Sequence, residues 1–301
     1  MPRRILTDAA SYVIIFLLTN KREIHLKHKP MIIDFHTHIF PDKIAEKTIA
    51  HLASRGGRTP SFDGTEHGLL GNMRATGVDI SIAHPVITSP KQFDSITGFA
   101  SEVNRRHAAS SCERIISFAG IHPRCESIGE KMKLIKELGF PGVKIHPDYQ
   151  DTKINDDSYV EILKYAMEYD LTVLTHAGVD GAYRERGPMC TPDGVIDLIR
   201  RVPHKKLVLG HFGGNEMTEE VFDTLCGEDV YLDTALVLDY IDEGSFKKIL
   251  DKHGEDRILF ATDNPWADAG SYIERIRSFG LGERVENKIF CENAKNLINL
   301  R

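Results

Sequence analysis

An α/β (β/α)8 barrel (TIM barrel) is the fold class this sequence predicts, on three observations. From Met31 onward, eight short β-branched runs alternate with longer amphipathic stretches, the signature of βα units around a parallel sheet. The repeat recurs roughly every thirty residues, as in a barrel whose usual size is about 250 residues. Single polar residues close several of the runs, at the strand ends where barrels carry their chemistry. A doubly wound open sheet would collect such residues at one crevice. Here they close the first, fifth, sixth and eighth runs, which only a closed ring brings together.

Taken in order, the predicted strands are 32–36, 78–84, 115–122, 142–146, 171–176, 206–211, 230–235 and 257–262. Helical patterns lie between them. Ile128, Met132, Leu134, Ile135 and Leu138 form one stripe; Tyr159, Ile162, Leu163, Ala166 and Met167 form a second; Phe246, Ile249 and Leu250 form a third. Gly139, Gly254 and Gly280 are read as helix stops. The Gly-rich polar segment 54–72 reads as a loop between a first and a short second helix, placed over the barrel mouth.

The chain has 301 residues, 41% hydrophobic and 27% charged, enough to bury a large core in one domain spanning 31–301. With −6 overall and +4 in residues 1–30, residues 31–301 come to −10, which excludes a nucleic-acid partner. The five cysteines form no C-x-x-C pair and are odd in number, which fits a reducing cytoplasm. Most are read as small buried residues, with Cys190 a candidate to line a pocket.

Residues 1–30 are read as an N-terminal extension outside the fold, with Met31 the expected natural start. Arg3 and Arg4 followed by Tyr12-Val-Ile-Ile-Phe-Leu-Leu18 imitate a signal peptide, but no small-x-small site follows. Seven apolar residues also fall far short of the roughly 20 that span a bilayer. No membrane partner is expected, and a homodimer is the expectation from frequency alone.

The most informative stretch is Ile33-Asp-Phe-His36-Thr-His38, because residues two apart on a strand share a face and aim both imidazoles at one point. Two desolvated imidazoles at a barrel mouth call for a partner such as a metal ion. His176, His211 and Asp263 close later runs in the same way, His211 being readable as a ligand or as an acid or base. Imidazole and carboxylate suit zinc and related divalent ions.

Other residues have two readings. His84, His122 and His146 each precede a proline and either end a strand or line the pocket. Lys144, two residues before His146, is a carboxylate-binding cation, a carbamylated metal bridge, or a charge paired with the ligand carboxylate. Arg184 and Arg186 grip an anionic substrate or sit solvated. Trp266 walls the pocket or packs under the last helix. His51, His67, His107, His204 and His253 are expected to be exposed.

With these motifs in place, the sequence resembles the amidohydrolase superfamily, in the branch that contains aminocarboxymuconate semialdehyde decarboxylase. The resemblance covers 31–301 and rests on Ile33-Asp-Phe-His36-Thr-His38-Ile-Phe-Pro41, Gly120-Ile-His-Pro123, Gly142-Val-Lys-Ile-His-Pro147, Thr175-His-Ala-Gly178, Gly210-His-Phe-Gly-Gly214, Thr262-Asp-Asn-Pro-Trp266 and Glu292-Asn-Ala294. It implies that His36, His38, His176 and Asp263 bind one divalent ion, with zinc expected. His211 would polarise substrate or shuttle a proton, and Asp263 would be both ligand and general base. Other superfamily members place a carbamylated lysine or glutamate where Lys144 stands, which leaves a two-ion site open and departs from the decarboxylase pattern. Lys144, His146, Arg184 and Trp266 are the expected substrate-binding residues.

The leading expectation is a hydrolase in which activated water attacks an amide, lactone or ester carbonyl of a small molecule. The alternative is a nonoxidative decarboxylase (carboxy-lyase) using the same pocket on a small carboxylated substrate. A third reading is a metal-holding protein without chemistry. Asp263 and His211 argue against it, since a passive site needs no base beside an open metal position.

Overall fold

In the computed structural model, residues 30–110 and 112–300 are described, and Met31–Arg301 forms one compact unit. The expectation about residues 1–30 lies, apart from Pro30, outside the described residues. The strands are β1 Ile33–Thr37, β2 Ile80–Ala83, β3 Arg114–Ser117, β4 Ala119–Gly120, β5 Gly142–Ile145, β6 Thr172–Thr175, β7 Leu207–Leu209, β8 Tyr231–Asp233 and β9 Ile258–Leu259. All neighbouring pairs are parallel, in the orders β1-β2-β3 and β4-β5-β6-β7-β8-β9. The predicted third strand is interrupted at Phe118, whose N–H still donates to Ala83 O, so β3 and β4 continue one stave. At the other seam, Phe35 N–H donates to Phe260 O (2.9 Å), Asp263 N–H to His36 O (2.8 Å) and His38 N–H to Asn264 O (2.6 Å). The eight staves therefore meet first to last, as a barrel requires.

The core has two layers. Ile33, Phe35, Ile82, Phe118, Leu174, Val208, Leu259 and Ala261 share one buried cluster. Alternating strand residues such as Val143, Val173, Leu207, Leu232 and Ile258 pack instead in the larger cluster with the helices. The helix over residues Ile128–Glu137 buries Ile128, Met132 and Ile135 while Leu134 and Leu138 face solvent, so the predicted stripe is narrower than its apolar content. The helices Asp157–Glu168 and Glu243–His253 bury the predicted faces, although Met167 is exposed. Gly139, Gly254 and Gly280 have φ of +78°, +99° and +60°, the left-handed region that follows a helix end.

Two expectations need correction. Segment 54–72 is a loop only over 57–65, because Asp42–Gly56 runs on past Ser54 and a new helix, Glu66–Thr76, starts behind its N-cap Thr65. The Thr65 side chain accepts from Gly68 N–H, an N-cap that overrides the polar, Gly-rich composition. His107, His204 and His253 are buried, contrary to the exposed reading. Each is held by a specific acceptor: Glu66, Leu171 O and Val230 O respectively.

His253 carries a pH prediction. Burial lowers its pKa from 6.5 to about 4, against the hydrogen bond to Val230 O, while the unfolded chain titrates at its ordinary value. Between those values the unfolded state binds more protons, so stability falls as pH drops through that window. Replacing His253 by Gln should reduce the stability lost between pH 7.5 and pH 5 by about 2 kcal/mol, measured by urea unfolding at both pH values. An unchanged loss would contradict it. Among the described residues, no helix is long and apolar enough to cross a membrane.

Candidate metal centre

The site is assembled at the C-terminal ends of the strands. β1 supplies His36 and, one residue past its end, His38, but not by simple alternation, since the register against β2 shifts between Asp34 and Thr37. Both rings nevertheless converge, with centroids 5.1 Å apart. Asp263 follows the last strand with φ +67°, and His211 follows β7 with φ +56°. Such left-handed backbone at non-glycine positions costs of order 1 kcal/mol or more and concentrates at functional sites.

Hydrogen bonds fix the tautomers. His36 Nδ1–H donates to Asp233 Oδ2 (2.8 Å), and His38 Nδ1–H donates to His84 O (2.7 Å). Both Nε2 lone pairs then face Asp263 Oδ1, at 3.4 and 3.0 Å. Bare nitrogens and a carboxylate oxygen repel unless a cation lies among them. Donors around an ion with bonds of about 2.1 Å lie roughly 3.4 Å apart in a tetrahedron. His36, His211 and Asp263 each offer an atom to one group spanning no more than 4.8 Å, so the residues present fit a divalent ion. The Lys144 ammonium, entirely buried on β5, stands 2.9 Å from His36 Nε2 and marks the cation-seeking character of that lone pair.

His176 sits one ring further on. Its Nδ1 is 2.8 Å from His211 Nε2, while His211 Nδ1–H donates to Ala235 O (3.1 Å). His176 Nε2 is buried without a hydrogen-bond partner and faces Asp180 Oδ2 at 4.0 Å. His146 stacks on His176 at 4.3 Å, with its Nε2 3.5 Å from the same oxygen. Although His146, His176 and Asp180 also form a tight group, Tyr149 N–H donates to His146 Nδ1 (3.4 Å). That places the His146 proton on Nε2 and makes it a donor to Asp180 rather than a ligand.

Burial governs the electrostatics. It lowers His36, His146 and His176 well below the ordinary histidine value, with Lys144 and neighbouring imidazoles adding to the effect, and it brings His211 to about 4. All four are neutral at neutral pH, as ligation requires. Burial brings Lys144 down to about 8 against the pull of Asp263, Asp233 and Asp180. For Asp263 burial raises the pKa, but its polar surroundings, the facing imidazoles of His38 and His211 and the Lys144 ammonium, hold it below the usual carboxylate value.

The structure brings together His36, His38, His211 and Asp263, with Lys144 among them and His176 and His146 alongside. It does not bring Arg184, which is exposed and forms a two-pronged pair with Glu216 (2.6 and 2.7 Å); its expected substrate role is withdrawn. Arg186 pairs with Asp151 and donates to Asp148 O. Trp266 is half-buried, its backbone N–H donating to Asp263 O. Cys125, Cys190, Cys226 and Cys291 are buried and Cys112 is exposed. Sequence reasoning missed Asp233, Asp180 and Asp34. Asp233 ends the observed β8 as the histidines end theirs, but the predicted strand ran on to residue 235 and hid it inside the run. Its Oδ1 accepts His211 N–H and Ala235 N–H, so one carboxylate orients two site histidines.

A parallel barrel with imidazole and carboxylate donors converging at one rim defines a class, the barrel enzymes whose chemistry centres on a metal ion. The amidohydrolase family model matches residues 33–300, and the chain belongs to that family. No curated protein matches. Solved structures of similar fold include 5-carboxyvanillate decarboxylase from Sphingomonas paucimobilis, at 15% identity and TM-score 0.67, covering 90% of this chain and 100% of that one. They include 2,6-dihydroxybenzoate decarboxylase from Rhizobium, at 18% and 0.66, covering 90% and 99%. Dihydroxybenzoic acid decarboxylase from Polaromonas sp. JS666, solved with manganese and 2-nitroresorcinol, matches at 17% and 0.66, covering 90% and 97%.

Proposed function

We propose that this protein is a metal-dependent hydrolase of small molecules with room for two divalent ions. The observation that carries this reading is the presence of two nitrogen pairs: His36 and His38 Nε2 against Asp263, and His176 Nδ1 against His211 Nε2, with Lys144 reaching the first. His36, His38 and Asp263 would hold one ion and His176 and His211 the other, with His211 also within reach of the first group. A divalent ion bound here supplies Lewis-acid polarisation of the scissile carbonyl and acidifies water. Zinc is the expected ion from the ligand types, and manganese is the ion of the Polaromonas relative.

The chain's own residues do the rest. Asp263, held as a carboxylate, takes a proton from the attacking water and returns it to the leaving nitrogen or oxygen as the acyl bond breaks. Asp233 locks His36 and the His211 backbone in place. The low pKa of Lys144 gives it a free-amine fraction that can add carbon dioxide, and the resulting carbamate would bridge both ions.

The structural relatives favour a second reading, nonoxidative decarboxylation. There the bond from carbon to the carboxylate breaks, its electron pair stays on carbon, and Asp263 or His211 moves a proton taken from water to the carbon that carbon dioxide leaves. Incubating the zinc- or manganese-loaded protein with 5-carboxyvanillate, 2,6-dihydroxybenzoate and a panel of amides and lactones separates the two. Acid release without carbon dioxide supports hydrolysis, whereas carbon dioxide from the aromatic acids overturns it in favour of the second reading. The Lys144→Met variant should hold one ion fewer per chain by elemental analysis; an unchanged count would remove the bridge.

A further inference from the structure

We propose that Asp180, in the loop after β6, is a positioning residue that sets the tautomer of His176 and thereby the affinity of the second ion. This rests on the two-ion reading above. Two neutral forms are open to His176. With the proton on Nδ1, the ring donates to His211 Nε2 and leaves a bare Nε2 4.0 Å from a carboxylate oxygen, a repulsive arrangement. With the proton on Nε2, the ring faces Asp180 favourably, and the lone pairs of His176 Nδ1 and His211 Nε2 converge on a common point. The second form is the ligating one. The gap to Asp180 is roughly 1 Å beyond a full hydrogen bond, within reach of a small ring tilt.

Asp180 is built to stay where it is. Its Oδ1 accepts Ala182 N–H (2.7 Å), and Arg55 anchors the same turn through Ala182 O (2.8 Å). Val179 N–H donates to Asn215 O and Asn215 Nδ2–H to Val179 O, pinning the residue before it. The parallel ring of His146, its proton directed to Nε2 by Tyr149 N–H, also points at Asp180 Oδ2. One carboxylate thus faces two stacked rings, and His146 is drawn into positioning rather than ligation. Carboxylates behind ligating histidines raise ligand basicity, and their loss typically costs 10–100-fold in metal affinity.

The test is a cobalt(II) titration followed by calorimetry and visible absorption, on wild type, Asp180→Ala and Asp180→Asn. Two equivalents are expected in wild type. The second should weaken about 10–100-fold in Asp180→Ala. The first should be unchanged, with partial recovery in Asp180→Asn, whose amide oxygen still accepts from Nε2–H. Ring nitrogen-15 shifts of the cobalt-free proteins should show a smaller share of His176 protonated on Nε2 in Asp180→Ala than in wild type. Two wild-type equivalents with the second unaltered in Asp180→Ala would overturn this proposal alone. A single wild-type equivalent would overturn the two-ion reading and this proposal with it.

Discussion

Replacing Asp263 by Asn is expected to lower kcat by about 10²–10⁴-fold, the range for loss of a positioned general base, while leaving the fold intact. The amide is nearly the same size and keeps one oxygen toward His38 and His36, but it cannot take a proton. Because the Lys144 ammonium and the surrounding imidazoles hold the Asp263 carboxyl below the ordinary range, the wild-type base is ready throughout neutral and mildly acidic conditions. The loss should therefore be similar at pH 6 and pH 8. Steady-state turnover of the best substrate from the panel, with circular dichroism as the folding check, decides it. Wild-type kcat in the folded, metal-loaded variant would strike Asp263 from the reaction.

The second large effect is on stability. Asp34 is fully buried and accepts Thr262 Oγ1–H (2.6 Å), Thr262 N–H (3.0 Å), His36 N–H (3.3 Å) and Asn264 Nδ2–H (3.4 Å). It ties the first stave to the end of the last, where the barrel closes. Asp34→Ala would strand buried donors that cost about 1–3 kcal/mol each, so a loss of roughly 4 kcal/mol is expected. That corresponds to a fall in Tm of about 8 °C or more for a chain of this size. Burial pushes the Asp34 pKa up to about 7 against those hydrogen bonds, so Asp34→Asn should recover part of the loss. A Tm for Asp34→Ala within 2 °C of wild type, read by calorimetry, would contradict the closing role.

The barrel was legible because its strands are short β-branched runs and its helices carry apolar stripes, and both periods are local properties of the chain. His36, His38, His211 and Asp263 were legible for the same reason, each standing at the end of such a run. Asp233 ends β8 but went unread because the apolar run continues through Ala235 and masks the strand end. Asp180 gives no sequence signal: it lies in a loop, and its meaning comes from two rings contributed by β5 and β6. Arg184 misled because charge in a loop after a strand says nothing about direction, and Glu216, thirty-two positions away, claims its guanidinium.

The sequence by itself determined the kind of fold, the family and the inventory of donor atoms, since periodicity, strand ends and motif spacing are written along the chain. Tertiary structure alone decided which nitrogen of each histidine carries its proton. That depends on acceptors brought from distant positions, Asp233 for His36, His84 O for His38 and Ala235 O for His211. A lone pair has a direction only once the ring is held, and ligation follows from that direction rather than from the residue type.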